Sequence, residues 1–315
     1  MNERAQGLVR RMKIDPEKLS RSIEQFIRES MDRLERDGVI FGLSGGLDSA
    51  VVAALCKRAV CRERTLALMM PERDSGEEHI KDALNLSKEL GIETRYFDLS
   101  PPLDALGIYR LAPLSRVPLT GRLRGYLLGR AYRYYERKTG ETPFSAGVAG
   151  LRGKEHRAFM SKRTAYYRSK HRMRTVLLYL QGELENRLVV GAANRTEDQI
   201  GYFVKHGCDD AVDVQPLLNL YKTQVRELAR YLGIPEKIIE KPPSPDVLPG
   251  IVDEEAIGIP YEQLDLVLLG LEQGWQSPEI AEALGIPEKS VLGVKGLNEK
   301  SEHMRKIYAP EPPVS

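Results

Sequence analysis

Six consecutive residues, Ser44-Gly45-Gly46-Leu47-Asp48-Ser49, carry the densest chemistry of this sequence. Two adjacent glycines let the backbone bend sharply and bring its N–H groups close to an anion. The helix-forming run from Ala50 to Cys56 points an N-terminus at the same place. This is a phosphate cradle, but it is neither GxxxxGK[ST] nor GxGxxG. A carboxylate inside such a cradle is unfavourable unless a cation accompanies it, so Asp48 reads as a magnesium ligand beside a polyphosphate. Lys222 falls in the first turn of a helical stretch from Tyr221 to Tyr231, where its charge opposes the helix dipole; a phosphate there would account for it. Glu197 lies in AANRTE, which leaves a strand. Taken alone it reads as a solvent-facing carboxylate of a first helical turn.

The cradle needs a strand before it and a helix after it. Val39 to Leu43 is apolar and rich in β-formers, and follows a polar turn at Asp37 and Gly38. Thr65 to Met70 reads as a second strand, Pro71 to Ser75 as its exit loop, His79 to Leu90 as a helix closed by Gly91, and Glu93 to Leu99 as a third strand. Val176 to Leu180 has helix spacing, Arg187 to Gly191 reads as the next strand, and Asp213 to Leu217 as a further short one. Before the cradle, Leu19, Ile23, Phe26, Ile27 and Leu34 recur as on an amphipathic helix packed on a sheet. Alternation of this kind predicts a doubly wound α/β fold, a parallel sheet with helices on both faces. Ligands bind at the strand C-termini of such sheets, so Leu43 and Met70, which end two strands, join the expected nucleotide site.

The chain has 315 residues, 42% hydrophobic and 29% charged, the composition of a soluble globular protein. It contains no run of about eighteen apolar residues and no apolar leader after Met1, so a cytoplasmic location is expected. Cys56, Cys61 and Cys208 form no CxxC pair and no sequence cluster of zinc spacing. Charge is unevenly spread. From Arg110 to Arg174 there are seventeen Lys and Arg against three Glu, a local balance of +14 in a chain whose formal net charge is +2. The strand and helix pattern breaks in the same region, between about residues 101 and 166. There RLRGYLLGRAYRYYERK interleaves tyrosines with arginines, and a Gly-rich FSAGVAGLRGK follows. Such a segment can grip nucleic acid, or lie as a basic lid over an active site; the lid is the preferred reading. SPEIAEALGIPEKSV, from Ser277 to Val291, has the look of a helix-turn-helix but lacks a basic recognition helix.

On its strand-to-helix turn, SGGLDS resembles the pyrophosphate loop of ATP-pyrophosphatases, which adenylate a substrate and release pyrophosphate. NRTEDQIGYFVKHG, QPLLNLYKTQVRELARYLGIPEKIIEKPPSP, LPGIVDEEAIGIPYEQLD and SEHMRK follow in that order. Together they resemble the ammonia-dependent NAD synthetases, over roughly residues 15–100 and 167–307. The resemblance implies one domain over residues 1–315, with the insertion at about 101–166 and a C-terminal helical closure at about 260–310. It implies that ATP adenylates the nicotinate carboxylate of deamido-NAD and that ammonia then displaces AMP to give NAD. Asp48 and Glu197 would hold Mg2+, and Asp48, Lys205 and Lys222 would be catalytic, the lysines on phosphates. Leu43, Ser44, Gly45, Gly46, Leu47, Asp48, Ser49, Met70, Arg172, His303 and Arg305 would complete the ATP site. A homodimer is implied as well. No room is left for an additional glutamine amidase domain, so free ammonia or a separate donor is expected.

Departures from the family pattern cluster on the acceptor side. Arg168 stands where an asparagine is usual, Cys208 and Asp209 replace the DG of a GDGG run, and Ala256 replaces the last glutamate of DEEELG. On the ATP side, Met304 replaces a lysine. Arg168 and Cys208, with Asp213 and Asp253, form the expected acceptor group. Amidation of another carboxylate and RNA modification by a related ATP-pyrophosphatase stay open as alternatives. A non-enzymatic ligand-binding protein is less favoured, because Asp48, Glu197 and both lysines remain.

Overall fold

A computed structural model describes residues 3–111, 129–130, 134–135, 137–138, 142–148, 157–243 and 253–305. Most of the basic stretch from Arg122 to Lys138, and the end of the Gly-rich segment after Val148, lie outside the described residues.

The chain opens with helices α1 (Glu3–Met12) and α2 (Pro16–Arg33), followed by β1 (Gly38–Gly42), α3 (Leu47–Val60), β2 (Thr65–Met69), α4 (Glu77–Leu90) and β3 (Glu93–Tyr96). Short helices α5 (Ser100–Ala105) and α6 (Pro143–Val148) precede the long α7 (Arg157–Leu184), β4 (Arg187–Val189) and α8 (Arg195–Ile200). Then come α9 (Lys222–Tyr231), α10 (Glu236–Ile239), α11 (Asp253–Ile257), α12 (Tyr261–Glu272), α13 (Ser277–Leu284), α14 (Glu288–Lys300) and α15 (Glu302–Arg305).

The four strands pair in parallel in the order β3-β2-β1-β4, with Ile40 opposite Leu66 on one side and Val189 on the other. The chain winds outward from β1 through β2 to β3, then returns to lay β4 against the free side of β1. Winding thus reverses between β1 and β4, and a crevice opens at their C-terminal ends. Side chains of β1 alternate between two cores. Val39 and Phe41 join Ile23 and Ile27 of α2, Val51 and Leu55 of α3 and Val225 of α9, whereas Ile40 joins Leu66, Leu68, Tyr166 and Leu178 on the opposite face. Both faces are therefore covered, as parallel sheets require. α3 is buried nearly all round, which fits its run of alanine and valine at the centre of the layer. α2 starts at Pro16 with the Asp15 carboxylate accepting from the Lys18 N–H at 3.1 Å, and its buried Ile23, Ile27 and Met31 are spaced by four.

Two expectations differ from the structure. Asp213 to Leu217 does not form a strand; it contributes one isolated bridge between Val190 and Val214. The Asp213 carboxylate itself accepts from the Val189 N–H at 2.9 Å, so a side chain replaces a ladder bond there, and Pro216 has no N–H to extend it. The second difference is continuity. α7 runs unbroken for 28 residues from Arg157, through residue 166, where the break in the strand and helix pattern was expected to end. A third core, built from Leu8 of α1 with Tyr261, Leu264 and Val267 of α12, Ile280 of α13 and Val291 and Val294 of α14, forms the C-terminal helical layer.

Candidate active site

The cradle follows β1 as expected. Gly46 caps α3 without a side-chain bond, which leaves the first-turn N–H groups of the helix without an intrahelical acceptor. Ser44 and Ser49 tie the loop across its base: their hydroxyl oxygens are 3.0 Å apart, the Gly46 N–H donates to Ser44 Oγ at 3.2 Å, and Ser49 Oγ donates to the Gly46 carbonyl at 3.0 Å. Gly45 has φ +78°, and a Cβ there would meet the His79 carbonyl oxygen of α4 at 2.1 Å. No other residue fits this position.

At the reversal point between β1 and β4, the loops that leave the two strands converge. Asn194, the N-cap of α8, donates to Asp48 Oδ1 at 3.0 Å and accepts from the Glu197 N–H, also at 3.0 Å. Lys222 Nζ bridges the carboxylates, 2.5 Å from Asp48 Oδ2 and 3.1 Å from Glu197 Oε1. Asp253 of α11 stands behind them, accepting from Tyr202 at 2.8 Å and Tyr261 at 3.1 Å. Three carboxylates thus surround one lysine. Burial pushes Glu197 up to about 8, Asp48 and Asp253 add to the rise, and Lys222 only partly offsets it. Burial alone would lower the Lys222 ammonium, but Asp48 and Glu197 overcome it and hold the lysine charged. The α8 and α9 N-termini are locked together by buried Asp265, which accepts from Thr196 at 2.6 Å and from the Thr223 N–H and hydroxyl at 2.9 and 2.8 Å. An acid in the apolar run LDLVLLGLE was the sequence signal for this post, and it went unread.

One cleft is lined by Leu43, Ser44, Gly46, Leu47, Asp48, Ser49, Met70, Glu197, Cys208, Lys222 and Asp253, so eleven of the expected site residues share it. Gly45 shapes its floor through the backbone. Lys205 and Arg172 are joined nearby, Arg172 donating to the Lys205 carbonyl at 3.2 Å and Lys205 Nζ to the His303 carbonyl at 2.6 Å. Arg305 is spent on helix ends, with Nη1 on the Gln199 carbonyl at 2.6 Å and Nη2 on the Asn298 carbonyl at 2.8 Å. Asp213 lies below the sheet end, accepting from Tyr179 at 3.0 Å as well as from Val189, and does not line the cleft. Arg168 does not line it either; burial and the neighbouring Arg172 both lower its guanidinium.

The cleft also contains residues that motif reading missed. Lys241 approaches the Gly45 carbonyl at 3.4 Å and pairs with Asp82 of α4, joining the loop to the KPP segment. His171 of α7 faces Asp209, Nδ1 to Oδ2 3.0 Å, with Cys208 beside it. Burial pushes the Cys208 thiol well up, and Asp209 adds to this; Asp209 itself is held down by His171 against the effect of burial.

A second lysine cluster adjoins the site under the exit of β2. Lys170 is wholly buried and lies 2.9 Å from Glu72 and 2.8 Å from Asp74. Tyr109 donates to Glu72 at 2.9 Å, Tyr166 donates to Asp74, and the Arg73 guanidinium stacks 3.7 Å above the Tyr109 ring.

A family model described as NAD synthase matches residues 19–117 and 152–308. The residues between the two matched blocks fall within the insertion expected from the sequence. An NH3-dependent NAD+ synthetase from Thermotoga maritima is 40% identical over 288 residues, which cover 91% of this chain and 97% of that protein. Among solved structures, an NMN synthetase from Francisella tularensis superposes with a TM-score of 0.69 and 26% identity. An NH3-dependent NAD synthetase from Campylobacter jejuni superposes with 0.66 and 26%. Each superposition covers 96% of this chain and 100% of the other.

Proposed function

The chain belongs to the NAD synthase family, and from that premise we propose that it is an ATP-dependent carbon–nitrogen ligase that converts deamido-NAD to NAD with ammonia. The nicotinate carboxylate attacks the α-phosphorus of ATP, pyrophosphate leaves, and ammonia then displaces AMP from the acyl-adenylate. The observation that carries this reading is the meeting of the SGGLDS loop with Asp48, Glu197 and Lys222 at the point where the sheet reverses its winding.

The residues divide the work by position. The free N–H groups at the start of α3 and the Lys222 ammonium receive the charge that builds on the departing pyrophosphate. Asn194 orients Asp48, and Tyr202 and Tyr261 hold Asp253. Asp265 fixes the spacing between Glu197 and Lys222 by joining their helices. The donor set also suits Mg2+: three carboxylates share one lysine, and burial, with Asp48 and Asp253 nearby, drives Glu197 toward its neutral form. Asp48 and Glu197 would hold the ion, which supplies charge neutralisation when bound.

An apolar stripe supports a homodimer. Val176, Leu180 and Leu184 recur every fourth residue along α7 and are 63, 49 and 70% exposed. The free thiols of Cys56, Cys61 and Cys208 suit the reducing cytoplasm, and no described helix is long and apolar enough to cross a membrane. The basic insertion is assigned as a lid on its charge and on its place in the sequence, between β3 and α7.

Incubating the protein with ATP, Mg2+, ammonium and deamido-NAD should give AMP and NAD in equal amounts. ADP as product would overturn the assignment. Running the mononucleotide acid in parallel tests the acceptor, since one structural relative is an NMN synthetase; faster turnover of that acid would move the assignment to mononucleotide amidation.

A further inference from the structure

The cleft that Asp48 lines also carries His171, Cys208 and Asp209, whose ligand atoms all lie within 4.8 Å of one another. The spacing is close. His171 Nδ1 is 3.5 Å from Cys208 Sγ and 3.0 Å from Asp209 Oδ2, and Cys208 Sγ is 3.7 Å from Asp209 Oδ1. A tetrahedral zinc ion bound by one sulfur, one nitrogen and one oxygen sets ligand-to-ligand edges of about 3.3–3.6 Å, as its bond lengths require. Taking the nearer Asp209 oxygen on each side, Oδ2 toward His171 and Oδ1 toward Cys208, the observed separations bracket that range.

A nucleophile relay does not explain the cluster. In a relay, thiol and carboxylate use opposite ring nitrogens, so that one gives up a proton as the other holds the ring. Here both converge on Nδ1, which offers a single lone pair or a single proton, while Nε2 is buried with no partner among the described residues. One sulfur, one ring nitrogen and one carboxylate grouped this closely are what a divalent cation of borderline softness takes, the thiol giving up its proton on binding.

The cluster is also held in place. The Tyr167 ring lies 4.9 Å from the His171 ring, and a Cβ on Gly207 would meet His171 Cβ at 3.0 Å and the Val204 carbonyl at 2.9 Å, so the turn bearing Cys208 and Asp209 sits directly on the histidine. Arg174 is the opposing charge nearby, and its Nε donates to the Met70 carbonyl at 3.2 Å.

We propose that His171, Cys208 and Asp209 form a zinc-class metal site, separate from the Asp48–Glu197 carboxylates, with one coordination position open to the cleft. Two of the three ligands fall where this chain departs from the family pattern.

Titrating metal-free, full-length protein with Co2+ tests it without any turnover, so the result is independent of the amidation assignment. The expected signature is an intense thiolate-to-cobalt charge-transfer band that saturates at one equivalent. It should vanish in Cys208→Ser, weaken at least about tenfold in Co2+ affinity in Asp209→Asn, and persist in Asp48→Asn, whose all-oxygen site gives no thiolate band. Elemental analysis of protein grown with zinc should show one zinc per chain in the parent and a loss in His171→Ala. A parent that is folded by circular dichroism yet shows no such band overturns the proposal, whatever the variants do. So does a band that survives Cys208→Ser.

Discussion

Two lysines in this protein each sit between two carboxylates at the C-terminal edge of the same sheet, and they end up in opposite conditions. Around Lys170, Glu72 and Asp74 take further bonds from Tyr109 and Tyr166, and the aromatic rings seal the group from solvent. Around Lys222, a third carboxylate, Asp253, is added, and the group opens on the cleft. In the first arrangement a tyrosine hydroxyl and the one ammonium already engage each carboxylate. The second holds more negative charge than its lysine can balance, so it retains a standing demand for another cation. Composition is nearly the same in the two, tyrosines included; what separates binding from bracing is the surplus carboxylate and the opening onto the cleft.

Four measurements bear on that contrast. The largest effect should come from Lys170→Met, which leaves two carboxylates buried without a cation and costs about 3–5 kcal/mol in urea unfolding. Lys222→Met should cost less stability, since Glu197 already favours its neutral form and can take up a proton in place of the lost charge. Equal losses would end the distinction. Next, Asp48→Asn should lower turnover at least about a hundredfold, equivalent to about 2.7 kcal/mol, while leaving unfolding unchanged. Retained turnover would place the chemistry elsewhere. Tyr166→Phe removes one charge-assisted donor from Asp74 and should cost about 1.5–3 kcal/mol with little change in turnover.

The smallest and most telling effect is in pH. Burial raises the Asp74 carboxyl, but Lys170 and Tyr166 reverse this and bring it below its ordinary value. Its stabilisation is therefore complete above about pH 4, the unfolded value, and is lost as pH falls through the folded one. Glu197 has the opposite sign. Held up to about 8 in the folded protein, it keeps a proton that the unfolded chain has released, so its contribution is full below about pH 4 and is lost as pH rises through 8. The melting temperature of the parent should thus decline from about pH 4 to about pH 8 relative to Glu197→Gln and level off above that. Parallel profiles would show that the two clusters are electrostatically alike.

Much of the frame was legible because local signals agreed with it. The apolar, β-forming run of β1, the glycine turn and the helix behind it each specify the same unit, and AANRTE marked the second edge of the crevice. The Asp213 to Leu217 strand was misread because Asp213 looks like a strand boundary, when its side chain in fact replaces a backbone partner of Val189. The Lys170 cluster was invisible for another reason. It joins a loop at 72–74, a tyrosine at 109 and a helix at 166–170, and no sequence period links positions so far apart. Lys170 itself passed as one more charge in a basic stretch, whereas the fold buries it completely. The Cys208, Asp209 and His171 group escaped for the same reason, since two of its members adjoin and the third is supplied by α7.

The contact of Gly45 with His79 has a thermodynamic consequence. Backbone meets backbone there, and Lys241 and Asp82 brace the same spot from the side, so the loop is immobilised by the folded chain before any nucleotide arrives. Fixing a residue costs about 1–2 kcal/mol of conformational entropy, and folding has already absorbed that cost for the cradle. Triphosphate binding should accordingly show a smaller entropy penalty in calorimetry than a loop ordered by its ligand would impose.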